Sequence, residues 1–371
     1  MKLISLISLA LSTVLATAAC GSGGDSASAG NSAQPTSGDS IARETVQTAP
    51  DTLTLAMVGD IMLGTTYPNV SIAPNDAADI FKAPGDLLRS ADLACGNLEG
   101  VLADSGKARK TLGAKGSFSF LMPKRLVKRL TEAGFDFVGI ANNHAFDFSQ
   151  PGLNSTMHTL DSVGIAYSGN KACRSVIKQV RGMKVGLCAF GHSQGTQWLS
   201  DSATVRSVIT DLRSKADVVV VCFHGGAEGS AARHLPNETE YAWGENRGHL
   251  RNFAHNCIDW GADVIYGHGP HVVRAMEVYK GRFIAYSLGN FATPTGIGTA
   301  GLTGYAPLVR LRVLSTGEMV DGRIHGFIQR RLVGPLPDNN GTVVKEISTL
   351  TAQDIPSALN IAPDGQLTIK K

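Results

Sequence analysis

The chain has 371 residues, with 34 Lys and Arg against 31 Asp and Glu, 42 Gly and a formal net charge of +3. At 43% hydrophobic and 18% charged residues, it is neither a disordered protein, which combines low hydrophobicity with high net charge, nor a Gly-poor, charge-rich coiled coil. The near-neutral balance excludes nucleic acid as the main partner, and the length suffices for one α/β domain of about 300 residues with a large core.

Residues 1–20 read as an export signal: Lys2, an apolar run broken only by Ser and Thr, then small residues up to Cys20. The run is shorter than the about 20 apolar residues of a spanning helix. A Cys directly after a small-residue cleavage site resembles a bacterial lipobox, with Thr17 where such a motif usually has Leu. Lipidation at Cys20 is therefore expected, giving an exported, membrane-anchored lipoprotein on the extracytoplasmic side. Residues 21–50 are rich in Gly, Ser, Ala and Thr and lack aromatics. They predict a disordered tether reaching on the order of 30 Å. The other cysteines, Cys95, Cys173, Cys188, Cys222 and Cys257, show no CxxC spacing, so neither a zinc site nor a disulfide can be assigned from them.

From Leu53 the pattern alternates. Residues 53–58 predict a buried strand ending at Gly59-Asp60. A helix closes over 86–90, and a short strand over 92–95 leads to Asn97 and Glu99. A helix over 124–133, closed by Gly134, precedes a strand over 135–141 that ends in Asn142-Asn143-His144. After a helix over 152–163, the segments 176–180 and 184–190 predict a hairpin. A helix over 205–215 leads to the β-branched run 218–221 and His224. Residues 238–260 predict a long helix, followed by a strand over 262–266 ending at His268 and His271. Strands over 283–288 and 308–313 close the sheet region, and residues 335–371 predict a terminal strand and extended tail. Strands followed by helices imply βαβ units, with hairpins adding antiparallel members.

Groups able to ligate metals recur directly after these strands: Asp60; Asn97 and Glu99; Asn143 and His144; His224 and Glu228; His268 and His271. Open α/β sheets place their sites at the carboxyl ends of strands, so five loops are expected to converge on one rim. Carboxylate, amide and imidazole without thiolate suit one or two divalent ions such as Mn, Fe, Zn or Mg. Glu99 is able to bridge two cations, and His144, if not a ligand, is placed to protonate a leaving group.

The motifs Val58-Gly-Asp-Ile-Met-Leu-Gly64, Gly96-Asn-Leu-Glu-Gly100, Ala141-Asn-Asn-His-Ala-Phe-Asp147, His224-Gly-Gly-Ala-Glu228, Gly267-His-Gly-Pro-His-Val272 and Tyr286-Ser-Leu-Gly-Asn-Phe291 resemble, in order, those of the CapA (PgsA) capsule synthesis family. That family is linked to poly-γ-glutamate and is similar to calcineurin-like metallophosphatases. The resemblance implies a metallophosphatase-like four-layer α/β sandwich, two mixed sheets flanked by helices, over residues 51–334. It implies metal ligands at Asp60, Glu99, Asn143, His224, His268 and His271, and a general acid at His144. Asp147 and Glu228 would orient the histidines, and Asn97, Asn142, Ser287 and Asn290 would support ligands or meet substrate. The implied partners are an anionic capsule polymer, the membrane through the lipid anchor, and the capsule synthase complex. Two departures stand out: Met62 replaces the His of the phosphoesterase Asp-x-His, which weakens one metal position, and Gly225 replaces a Trp, which loosens one pocket wall.

A metal-dependent hydrolase and a non-catalytic polymer- or synthase-binding scaffold both remain open readings. A third, weaker one is a serine esterase, since Gly191-His-Ser-Gln-Gly195 fits a nucleophile elbow at Ser193, with Asp263 and His268 or His271 downstream. The basic stretch Lys107, Arg109, Lys110, Lys115, Lys124, Arg125, Lys128 and Arg129 is able to attract an anionic polymer or to form a solvated helix face. His158, His234, His249, His255 and His325 read as surface or helix-face residues; Trp198, Trp243 and Trp260 are able to line a sugar or peptide groove, with core or interface packing the commoner use.

Overall fold

Strand β1 (Thr52–Ile61) shows how the layers arise. Its Leu53, Leu55 and Met57 point into one core and its Ala56 and Val58 into another, as the period of two in a strand buried on both faces requires. The computed structural model describes residues 52–111 and 117–370. The expected signal, Cys20, the tether and Lys115 lie outside them.

The chain continues through β2 (Leu93–Leu98), β3 (Phe137–Gly139) and β4 (Ala166–Ser168), each parallel to its predecessor in one sheet. It then builds a second sheet from β5 (Ser175–Val180), β6 (Met183–Phe190) and β7 (Val218–His224). A small hairpin, β8 (Glu240–Ala242) and β9 (Glu245–Gly248), intervenes. Strands β10 (Val264–His268), β11 (Met276–Tyr279) and β12 (Arg282–Ala285) complete the second sheet. The chain returns to the first sheet with β13 (Asn290–Ala292), β14 (Leu308–Leu314), β15 (Met319–His325), β16 (Leu359–Ile361) and β17 (Gln366–Ile369). The nine-stranded sheet runs β16-β17-β15-β14-β1-β2-β3-β4, with β13 also on β1, and the six-stranded sheet runs β11-β12-β10-β7-β6-β5. Both mix parallel and antiparallel pairs.

The two sheets share one core, in which Leu55, Met57 and Phe137 of the first meet Leu187, Val220 and Phe283 of the second. The outer face of the first sheet is covered by α1 (Gly85–Arg89), α2 (Lys128–Ala133) and α3 (Ser149–Ser162), through Leu88, Leu130, Leu153 and Leu160. The outer face of the second is covered by α4 (Ser202–Arg213) and α5 (Leu250–Asp259), through Val205, Ile209, Leu212, Leu250 and Phe253. Helix, sheet, sheet, helix is the four-layer α/β sandwich expected from the motifs.

Two expectations fail. The helix expected over 238–260 is the β8–β9 hairpin followed by the shorter α5. Trp243 and Gly244 both take positive φ (54° and 82°), the conformation a tight two-residue hairpin turn demands, and Gly248 (φ 92°) precedes the His249 cap of α5. Residues 335–370 are no tail either. They contain α6 (Thr342–Asp354), whose Val343, Ile347 and Leu350 enter the inter-sheet core with Leu359 and Leu367 of the last two strands. Among the described residues no helix is long and apolar enough to cross a membrane, and the five cysteines are free thiols.

Candidate metal centre and its cavity

The parallel strands end on one rim, and their last residues carry the polar groups. Asp60, next to last in β1, is fully buried. Asn97, on the adjacent β2, donates from Nδ2 to Asp60 Oδ1 at 2.8 Å, and the same nitrogen lies 3.3 Å from His224 Nδ1. Asn142 Nδ2 donates to Asn97 Oδ1 (3.1 Å) and to the Leu98 carbonyl (2.8 Å). The second sheet supplies His224 and His268, the last residues of β7 and β10, whose Nδ1 atoms each stand 3.9 Å from Asp60 Oδ1. His271 Nδ1 is 3.2 Å from Asp60 Oδ2, and its Nε2 is 3.8 Å from Glu99 Oε1. Asn290 holds this ring by its Oδ1, 2.9 Å from Nδ1.

Asp60, Glu99 and His271 each place a ligand atom within 4.8 Å of the others. Around them Asp60 Oδ2, both Glu99 oxygens, Asn143 Oδ1, His224 Nε2 and His268 Nδ1 are buried without a hydrogen-bond partner. Unsatisfied buried polar atoms are costly, and such a set beside the Asp60–Glu99–His271 group fits a cation. Electrostatics agree. Burial, then the neighbouring Asp60 charge, push the Glu99 carboxyl up to about 8. Burial works against the His271 cation, yet Glu99 and Asp60 outweigh it and carry that imidazole up to about 10. The site is short of positive charge, and His271 takes up the deficit.

His144 follows β3. Its Nδ1 is 2.8 Å from Asp147 Oδ2, and its Nε2 is 3.9 Å from Glu99 Oε1. Burial holds this imidazole below its ordinary 6.5, against the pull of Asp147. The other Asp147 oxygen pairs with Lys110 Nζ at 2.7 Å, and Lys110 also donates to the Asn143 carbonyl at 3.1 Å.

Several expectations are corrected here. Glu228 orients no histidine: Arg247 takes one oxygen at 2.5 Å and the Trp243 indole donates to the other at 2.9 Å. Ser287 does not line the cavity; it donates to the Val272 carbonyl next to His271 and accepts from Gly289 N, bracing the loop that carries His271. Met62 is buried in the core against the helices, with its sulfur accepting from Gly64 N, so it brings no ligand to the cluster. The wall at Gly225 is closed rather than loose, because a Cβ there would lie 2.7 Å from the Arg247 carbonyl oxygen and 2.8 Å from Leu199. The esterase arrangement does not form. Asp263 lies at the opposite end of β10 from His268, paired with Arg213 and Arg282, and no helix follows Ser193 until Ser202. Histidines 234, 249 and 255 serve local contacts with Asp354, Asn252 and Glu277.

A cavity of about 500 Å³ lies over the cluster, lined by Asn143, His144, His271, Glu228 and residues that sequence reasoning missed. Chief among these are Glu245 and Arg247, on the same hairpin as Trp243, one of the tryptophans that the sequence allows as groove-lining. His192 is another: its side chain is buried, with Nδ1 3.1 Å from the His224 carbonyl and Nε2 3.3 Å from Glu245. Gly244, followed directly by Glu245-Asn246, was the turn signal available for the hairpin.

An α/β sandwich with a buried carboxylate–imidazole cluster at its strand ends thus has its class defined by comparison. The family described as bacterial capsule synthesis protein PGA_cap matches residues 54–295, and the chain belongs to this family. It is 30% identical over 262 residues to the PGA biosynthesis protein CapA of Bacillus subtilis (strain 168), covering 66% of this chain and 64% of that protein. It is 28% identical over 265 residues to the capsule biosynthesis protein CapA of Bacillus anthracis, covering 66% and 60%. The chain therefore spans less than two thirds of the length of either relative. Among solved structures it is similar to the calcineurin-like phosphoesterase YfkN from Bacillus subtilis, with a TM-score of 0.43 at 13% identity over 82% of this chain and 98% of that one.

Proposed function

We propose that this capsule synthesis family member is an exported, lipid-anchored protein that acts on an anionic capsule polymer of the poly-γ-glutamate type through a metal-dependent hydrolytic site. The observation that carries the reading is the set of buried, unpartnered ligand atoms around Asp60, Glu99 and His271. Those three residues would hold a divalent ion, with Asn143, His224 and His268 beside them. Such an ion lowers the pKa of bound water and polarises the bond under attack. Asn97 holds Asp60 in place by a hydrogen bond, and Asn142 in turn holds Asn97. His144 faces the cavity with Asp147 fixing its Nδ1 side, which leaves Nε2 to hand a proton to a leaving group. Trp243 and Arg247 close the cavity on the hairpin side.

The test is the metal content of the purified full chain, parent against Glu99→Ala, together with turnover of γ-glutamyl polymers and phosphoesters. One or two equivalents of Mn, Fe or Zn in the parent, lost in the variant along with turnover, is the expected result. A parent that stays folded, takes up none of these metals and turns over nothing leaves the scaffold reading, in which the cavity binds polymer or synthase without cleaving it. Met62, which supplies no ligand, is the feature that favours this second reading.

A further inference from the structure

The basic stretch between Glu99 and α2 does not act as one patch. Arg125 pairs with Asp76, Arg129 with Glu132, and Lys110 with Asp147. Lys107, Arg109 and Lys124 behave differently. Among the described residues none of the three has a carboxylate within 4.0 Å of its charged group, and all three line a second cavity, of about 520 Å³, between the 103–109 loop and the start of α3. The single acid there, Asp104, uses one oxygen to accept the Lys124 backbone N–H.

Arg109 lines this groove and the cavity over the metal cluster alike. Its guanidinium is met by the neutral Gln194 amide and the Phe146 ring, 5.5 Å away, so its charge is not compensated. Its backbone N–H donates to the Asp147 carbonyl at 2.8 Å, which ties the groove loop to the His144–Asp147 pair. At the inner cavity Arg247, 1% exposed, is ion-paired with both acids, its Nη2 2.5 Å from Glu228 Oε1 and its Nε 3.4 Å from Glu245 Oε2. The acids of that cavity are already engaged, Glu228 by Arg247 and Trp243, and Glu245 beside His192.

We infer that the groove is a binding subsite for an extended polycarboxylate chain, which lies along Lys107 and Lys124, passes Arg109 at the junction and enters the cavity above Asp60 and Glu99. A groove carrying the uncompensated Lys107, Lys124 and Arg109, with Arg109 also lining the inner cavity, suits repeated negative charges. A small monoester would fill the inner cavity alone. The inference rests on the capsule-polymer reading above, but concerns binding and needs no turnover.

The test is fluorescence anisotropy with the full chain, using labelled poly-γ-glutamate, a labelled γ-glutamyl dipeptide and labelled polyphosphate at low and high salt. The expected result is that the long polycarboxylate binds at least tenfold more tightly than the dipeptide. That gain should vanish in Lys107→Glu/Lys124→Glu and shrink in the milder Lys107→Ser/Lys124→Ser, and it should weaken with salt as exposed charge interactions do. Equal affinity for short and long ligands overturns the subsite, as does a gain that survives in both variants while circular dichroism shows them folded. A length gain for polyphosphate and none for poly-γ-glutamate overturns the polycarboxylate assignment. Glu99→Ala should keep the gain, so loss of metal and turnover in that variant is distinguishable from failure of the groove.

Discussion

At the scale of single residues, charge compensation decides what each buried group does. Burial alone would raise the Asp147 carboxyl, but His144 and then Lys110 hold it below its ordinary 3.8. Because the folded value lies below the unfolded one, this pairing stabilises the protein fully above about pH 4 and is lost as pH falls through the folded value. Asp147→Asn should therefore cost about 2 kcal/mol near neutrality, and urea titrations should show the gap to the parent closing in acid. Arg274 and Glu240 make a different case. Both are buried, and two guanidinium–carboxylate contacts of 2.8 and 2.7 Å join them. Arg274→Met would leave the Glu240 charge unpaired, at a cost of about 3–5 kcal/mol in chemical denaturation.

At the scale of elements, the strand ends were legible and the hairpin was not. Asp60, Glu99, His144, His224 and His268 could be placed because each follows a β-branched or apolar run, and parallel strands carry such residues to one rim. The hairpin bearing Trp243, Glu245 and Arg247 is hidden in the sequence because it runs directly into α5, whose Phe253, Cys257 and Ile258 have helical apolar spacing. The positive φ at Trp243 and Gly244 marks the true break. Closing of the wall at Gly225 was equally invisible, since it depends on Leu199 and Arg247 arriving from distant segments. Gly225→Ala, which has no conformational objection, should still cost about 1–3 kcal/mol by overpacking. A lower denaturation midpoint with unchanged slope is the expected record; no change would show that the hairpin gives way easily.

At the scale of the whole molecule, residues 335–370 belong to the fold. Helix α6 and strands β16 and β17 place Val343, Ile347, Leu350, Leu359 and Leu367 in the core between the sheets. A chain ended at Gly334 should lose cooperative thermal unfolding and bind hydrophobic dye, whereas a native-like melt would show those residues to be dispensable. This was hard to read from residues alone, because the 335–371 stretch carries no chemical motif and its helix is only modestly apolar. The same architecture has a consequence for the cluster at the rim. Asp60 and Asn97 hang from one sheet, His224 and His268 from the other, so the site straddles the seam along which the two halves of the sandwich meet. Any ion seated there works as a clasp between those halves, and its loss should be felt as a loosening of the seam itself.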